Sequence, residues 1–271
     1  MDETTRELRA RTGLDIVGCY AFGSGPVHAD ELLAFVTRGT KRATAGARLE
    51  LAELDDPLPA VGQLWGLLDG AGEPRFVAET VDVVPGQLSE ATPAFAWDEG
   101  EDDGTLESWL EGHRGWALQL GVTDPDQLEV LFERFRVVWP VEDQTVWLAD
   151  GVRELRFDER PWLRESHVAR HGLGEVHAHG EHWPIDALPA LVCEREGQRV
   201  GTLSFRPRPG GEAVVFSLHA VDDEVEGELQ RALTELGRHH GWERTAGPDH
   251  AIGSPSPATS APRPLQGDEL P

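Results

Sequence analysis

The sequence contains little cysteine and no long apolar run. Its two cysteines, Cys19 and Cys193, are far apart and form no CxxC pair, which excludes a disulfide framework and a cysteine metal site. No apolar stretch approaches the roughly 18 residues that a membrane span requires, and no charged-then-apolar leader opens the chain. We therefore expect a soluble, cytoplasmic protein with no membrane partner.

Positive charge is also scarce. The 271 residues include 24 Lys and Arg against 49 Asp and Glu, and the net charge is -25. Because sequence-independent binding to nucleic acid depends on Lys and Arg displacing counterions, this balance argues against long duplex partners. It leaves room for a small ligand, or for a short single strand that enters a locally basic groove. The 39% hydrophobic fraction is adequate for two globular domains.

The most informative stretch is residues 28–44, HADELLAFVTRGTKRAT. Its apolar residues recur at helical spacing and predict a helix that ends at Gly39, a residue suited to a left-handed cap. Beyond it, Lys41 and Thr44 are three residues apart, so a turn would place them on one face and let them share a pocket. The spacing alone also fits a helix end at which Lys41 and Arg42 are solvated.

Several motifs in order resemble the activating signal cointegrator homology (ASCH) family, in its longer bacterial branch. The resemblance covers residues 20–140 and implies an α+β fold, in which a small PUA-like β-barrel has flanking helices. The motifs are FGS at 22–24, GTKRAT at 39–44, VGQLWGLLD at 61–69, GEDDGTLESW at 100–109 and ERFRVVWP at 133–140.

The resemblance also implies a chemistry. Some small ASCH proteins are amidohydrolases that deacetylate N4-acetylcytidine with a Lys, a Thr and a Glu, which here correspond to Lys41, Thr44 and Glu101. Asp102 is the alternative acid if the loops differ by one residue, and Glu79 is a rival on position. The acidic run that contains Glu101 is equally typical of a solvated loop.

A threonine hydroxyl needs a base to become a nucleophile, and a lysine serves as that base only if burial or a neighbouring cation lowers its pKa. Arg42 is the neighbouring cation in the sequence. A carboxylate such as Glu101 would orient the amine or protonate the leaving group. The remaining residues that we expect at the substrate are Phe22, Ser24, Arg42, Arg134 and Arg136.

Two other functions remain open. Other ASCH members are thought to bind RNA through the same cleft, and one branch is reported as a ribonuclease. In that case Lys41, Arg42, Arg48, Arg134 and Arg136 would line the groove, and Trp65, Trp109 or Trp116 would offer stacking surfaces. Trp109 and Trp116 lie on the apolar stripe of a predicted helix, which also fits a role in the core. The third possibility is an interaction protein without catalysis.

The second half of the chain looks like the first half of a GNAT-type acyltransferase, with the order strand, helix, three strands, helix. In such enzymes a glycine-rich loop with a basic residue opens a helix and holds the pyrophosphate of acetyl-CoA. Here residues 221–228 keep Gly227, but Val225 replaces the other glycine and the basic residue is missing. We therefore expect a truncated, degenerate domain without acetyltransferase activity. An exposed sheet edge in it predicts pairing with a partner, for example a homodimer.

The predicted organisation is an ASCH domain at 1–140, a linker at 141–151, a truncated GNAT-like domain at 152–245 and a disordered Pro- and Ser-rich tail at 246–271. The second domain contains an H-x-H-x-x-H run, His177, His179 and His182, beside Glu175 and Glu181. Imidazole is the commonest zinc ligand, yet the sequence offers no evident fourth ligand. We therefore assign the run to a loop, and we expect no metal or cofactor.

Overall fold

The computed structural model describes residues 1–53, 58–140, 147–149, 151–242 and 244–246. Its first half contains helices and one five-stranded sheet, as expected for an α+β fold. None of the helices in these residues is long and apolar enough to cross a membrane. The elements in chain order are α1 Glu3–Thr12, β1 Ile16–Ala21, α2 Pro26–Thr37, β2 Ala43–Ala47, α3 Arg48–Glu53, β3 Leu64–Leu68, β4 Pro74–Gln87, α4 Pro93–Glu99, α5 Leu106–Gln119 and β5 Glu129–Trp139.

The first sheet has the order β1-β3-β4-β5-β2, and only β1 and β3 run parallel. Its central strand, β4, continues past Pro85 and Gly86, where the sequence predicts an end. Pairing with β3 stops at Glu79, so the far part of β4 is hydrogen-bonded on one side alone and tolerates a proline. A register shift between Thr80 and Asp82 bends the strand. The sheet curls into the half-barrel that fits a PUA-like fold.

The second half is built on a six-stranded sheet with the order β13-β12-β11-β10-β7-β6 and a separate two-stranded hairpin, β8-β9. Helix α7 buries Leu229 and Leu233 on this sheet. Its apolar residues recur at helical spacing, which explains why one face packs. The elements are β6 Trp147–Ala149, β7 Val152–Glu154, α6 Arg160–His171, β8 Glu175–Ala178, β9 Glu181–Pro184, β10 Ala190–Arg195, β11 Gln198–Arg208, β12 Glu212–Ala220, α7 Asp223–His239 and β13 Arg244–Ala246.

The two halves meet through α4. Trp97 lies in the core cluster of the second half, where its ring contacts Phe205 edge-on and Trp242 at a tilt. The indole Nε1 donates to Glu154 at 2.9 Å. The next residue, Asp98, is 2% exposed and accepts from Arg160 of α6 at 3.2 Å. A buried aromatic contact and a buried ion pair therefore join the halves at one turn of helix.

Three expectations need correction. Helix α4 is an element for which the sequence analysis made no prediction; its start follows from Thr92 capping the Phe95 amide and from Pro93 at the first turn. Residues 147–149, inside the expected linker, form β6 and pair with β7. The histidine run is a hairpin, not a loop. A short parallel strand, β13, follows α7, where the sequence predicts none; the expected tail beyond Ala246 lies outside the described residues.

Candidate functional site

The centre of the candidate site is Lys41, which is the chain's only lysine. Lys41 is 2% exposed, and it lies between the end of α2 and the start of β2. The ammonium group donates to Glu101 Oε1 at 2.5 Å and lies 3.6 Å from Glu99 Oε2. The ring of Phe22 closes another side, with its centroid 5.0 Å from Nζ. A single buried cation is therefore held by two carboxylates and an aromatic face.

Two glycines and one backbone hydrogen bond fix this geometry. Gly39 has φ 75 and turns the chain sharply after α2, as the sequence predicts for a left-handed cap. Gly100 ends α4 with φ 66, and a Cβ there would lie 2.5 Å from the Thr40 carbonyl oxygen. In addition, the Arg42 amide donates to the Asp98 carbonyl at 2.6 Å. The segment that carries Glu99 and Glu101 is thus pressed onto the backbone beside Lys41.

The two carboxyl groups differ in environment. Burial raises the pKa of Glu99 above its usual value, and the positive charge of Lys41 only partly offsets this. Burial also acts to raise the pKa of Glu101, but the charge and hydrogen bond of Lys41 outweigh it and leave that pKa below its usual value. Glu101 is more open, with 22% of its side chain exposed. The pKa of one carboxyl group is therefore raised and that of the other is lowered, a separation typical of acid–base sites.

Glu99 has further partners that the sequence analysis missed. His113 Nε2 lies 3.9 Å from Glu99 Oε2, and the His113 ring stacks on Trp109. Glu99 Oε1 is buried and accepts no hydrogen bond from any described residue. The sequence signal for Glu99 was available in the Thr92–Pro93 helix start, which places the residue at the last turn of a short buried helix.

Thr44 lies on β2, directly opposite Glu133 of β5. Residues that face each other across antiparallel strands point to the same side of the sheet, so Thr44 and Glu133 share a face. Glu133 accepts from Thr80 at 2.5 Å, and burial raises its pKa. Among the described residues, no hydrogen bond joins the Thr44 hydroxyl to Lys41 or Glu101. Lys41 and Thr44 are therefore separated by a short extended segment, whereas a turn was expected.

The other residues expected at the substrate are dispersed. Arg42 pairs with Glu154 at 2.8 Å and with Asp98, and Arg134 is 8% exposed with its Nε 2.9 Å from Asp98. Both therefore belong to the junction between the halves. Ser24 is exposed, and its amide donates to His28 Nδ1 at 3.4 Å.

The competing residues have other partners. Arg136 is exposed on β5 and binds Glu79 with two hydrogen bonds of 2.6 and 2.8 Å. Asp102 is exposed and accepts weakly from Ser108 at 3.4 Å. Of the three acids considered, Glu101 is the one that contacts Lys41, while the catalytic roles of these residues stay a prediction.

The RNA-stacking candidates are not equally available. Trp109 is 4% exposed and packs edge-on against Phe95, so it belongs to the core. Trp65 is half-buried against Tyr20. A 540 Å³ cavity opens at Glu101 and Asp102 and is lined otherwise by α2 residues such as Asp30 and Phe35 and by Arg38, just beyond the end of α2. Solvent reaches the cluster of Lys41 from this side.

The curled mixed sheet with its flanking helices and a buried lysine–carboxylate cluster defines a PUA-like α+β domain. Residues 18–139 match the family model of the ASCH domain, and this part of the chain is an ASCH domain. A search of curated proteins gave no significant match.

Three solved structures show limited similarity. The ASCH domain from Lactobacillus crispatus JV V101 is 23% identical with a TM-score of 0.45, covering 51% of this chain and 96% of its own. A protein from Enterococcus faecalis V583 is 22% identical with a TM-score of 0.43, covering 50% and 85%. A ribosomal-protein-alanine N-acetyltransferase from Brucella melitensis biovar Abortus 2308 is 11% identical with a TM-score of 0.29, covering 44% and 96%. At such scores none of them supports a function, and the GNAT-like nature of the second half stays a prediction.

Proposed function

We propose that the ASCH domain hydrolyses an acylated pyrimidine nucleoside, such as N4-acetylcytidine, at the cluster around Lys41. The observation that carries this proposal is the buried hydrogen bond of 2.5 Å between Lys41 and Glu101, beside a second carboxyl group of raised pKa. A buried cation between two carboxyl groups, one of raised and one of lowered pKa, has the components needed to move a proton. The net charge of -25 also fits an uncharged nucleoside better than a polyanion.

The proposed roles need a substrate that brings its acetyl carbon to Thr44, because the described contacts join Lys41 to Glu101 and not to Thr44. Lys41 transfers a proton to the Glu101 carboxylate, and the resulting free amine takes the proton of the Thr44 hydroxyl as that oxygen attacks the acetyl carbon. Glu101 then protonates the exocyclic nitrogen as its bond to the acetyl carbon breaks. Water hydrolyses the resulting threonine ester to acetate and restores the hydroxyl. Burial raises the pKa of Glu99, so Glu99 holds a proton more readily than Glu101 does.

RNA binding by the same domain receives less support. Arg42 pairs with Asp98 and Glu154, and Arg134 pairs with Asp98 and Asp82, so carboxylates already offset the charge of both arginines. Trp109 is buried. Arg48 and Arg136 are exposed, and they pair with Glu129 and Glu79. An interaction role without catalysis would be the remaining function if neither activity is found.

The test is the release of cytidine from N4-acetylcytidine by the full chain. We expect turnover that falls about 100-fold or more in Lys41→Met, Thr44→Val and Glu101→Gln, the range for loss of a proton-transfer group. Asp102→Asn is the matched control, because it removes the neighbouring charge in the same loop, and it should keep full activity. Equal loss in Asp102→Asn, or no turnover by the wild type, would overturn the proposal. Salt-dependent binding of a short RNA that Arg136→Ala weakens would then favour the alternative.

A further inference from the structure

The hairpin β8-β9 brings three potential metal ligands to one face. His177 is directly opposite His182 in the strand pairing, and Glu175 precedes His177 by two residues, so all three share a side of the hairpin. One ligand atom from each lies within 4.8 Å of the others. The imidazole rings stack with centroids 4.3 Å apart, and His182 Nε2 is 2.8 Å from Glu175 Oε2.

From this geometry we propose that Glu175, His177 and His182 bind a divalent transition metal ion of the zinc type. Two imidazole nitrogens and one carboxylate oxygen form a donor set that zinc uses with an open fourth position for water. Nitrogen donors disfavour Mg²⁺ and Ca²⁺, which prefer oxygen ligands.

The neighbouring polar residues are otherwise engaged. His179 has φ 54 at the turn, and its Nε2 lies 3.2 Å from the Val215 carbonyl oxygen, so it faces β12. Glu181 pairs with Arg206 and Arg208 at 2.5 and 2.6 Å. The H-x-H-x-x-H run therefore contributes its first and last histidines, and Glu175 replaces the middle one. Strand pairing, which the sequence analysis did not foresee, selects this set.

A bound ion would link the two strands of the hairpin. β8-β9 belongs to neither large sheet, and the three ligands are exposed. An ion that binds the folded hairpin stabilises it according to its concentration relative to Kd. The fourth coordination position would face solvent and remain open to water or to a small anionic ligand.

The test is calorimetric titration of the full chain with Zn²⁺ alone. We expect one equivalent to bind to the wild type, with affinity at least tenfold lower in His177→Ala and in His182→Ala and a smaller loss in Glu175→Gln. The control is His179→Asn, since asparagine tolerates a positive φ and the variant removes a histidine two residues from the proposed ligand. It should bind as the wild type does.

Three results would overturn the proposal: no binding, unchanged affinity in His177→Ala, or an equal loss in His179→Asn. The absorption spectrum of bound Co²⁺ gives a second measurement, and a tetrahedral spectrum that disappears in His182→Ala is the expected outcome. Circular dichroism of each variant separates a lost ligand from a lost fold. Mg²⁺ should give no heat in any of them.

Discussion

Two of the buried ion clusters, one in each half, differ in character. In the second half, Glu159 accepts two hydrogen bonds from Arg153, at 2.6 and 2.8 Å, and one from Arg199 at 2.7 Å, while Glu194 takes a further bond from Arg153. Two positive charges thus meet two negative ones. In the ASCH domain, Lys41 alone faces Glu99 and Glu101, and Glu99 Oε1 has no partner among the described residues.

The difference indicates different purposes. In a buried cluster where each charged group has a partner of opposite charge, the ion pairs hold the residues in place and no proton needs to move between them. Where two carboxyl groups share one cation, their different environments separate their pKa values. The pKa of Glu99 is raised and that of Glu101 is lowered. The first arrangement is typical of structural support and the second of a site that reacts.

The largest expected difference concerns stability. Glu159→Gln removes the shared counter-charge of Arg153 and Arg199, so the free energy of unfolding should fall by about 3–5 kcal/mol. Urea unfolding followed by circular dichroism measures it, with the slope against denaturant checked for constancy. Asp158→Asn, next to it in the chain and exposed, is the control. If Glu159→Gln lowered the free energy of unfolding no more than Asp158→Asn does, the proposed difference between the two clusters would be wrong.

Acid should act on the same residue. The arginine contacts lower the pKa of Glu159 from 4.5 to about 2 against the effect of burial. Because the folded-state pKa is the lower one, this contribution to stability is present above about pH 4.5 and is lost as the pH falls towards 2. The stability difference between the wild type and Glu159→Gln should therefore shrink over that interval. A difference that stays constant from pH 5 to pH 2 would contradict the pairing.

The smallest effect is expected at Glu99. Since burial raises its pKa, Glu99 is protonated below pH 4.5, and there an amide of the same shape should replace the neutral acid at a cost below about 1 kcal/mol in the free energy of unfolding. The pH dependence of the free energy of unfolding has the opposite sign to that of Glu159. The stability contributed by neutral Glu99 is present at low pH and declines as the pH rises through its folded-state pKa. Glu99→Gln should remove that decline. A pH titration of urea midpoints measures both. A loss as large as that of Glu159→Gln would show that Glu99 is charged.

The sequence predicted the main helices of the ASCH domain, because local sequence signals were strong there. Apolar periodicity located α2 and α5, the helix that carries Trp109 and Trp116, and Gly39 marked the end of α2. The pairing of Lys41 with Glu101, 60 residues apart, came from family resemblance and not from any local pattern. The ASCH assignment of residues 18–139 and the α+β fold are confirmed.

What could not be predicted depends on contacts between distant segments. The sequence suggested that Arg42 and Arg134 are groove cations, but Asp98 pairs with both, and Glu154 of the second half and Asp82 pair with one each. A run of charged residues does not reveal which partner the fold will bring, and burial decides whether a charge is structural or available. The hairpin that orders His177 and His182 was missed because its strands are four residues each and flank a turn at Gly180.

The presence of a single lysine gives the protein a built-in spectroscopic reporter. Lys41 is the chain's only lysine, so isotope labelling of that amino acid yields a nuclear magnetic resonance spectrum with one side-chain signal. That signal needs no assignment, and it comes from the atom beside Glu101. Protonation, ligand contact and motion at the candidate site can therefore be followed in the unmodified protein.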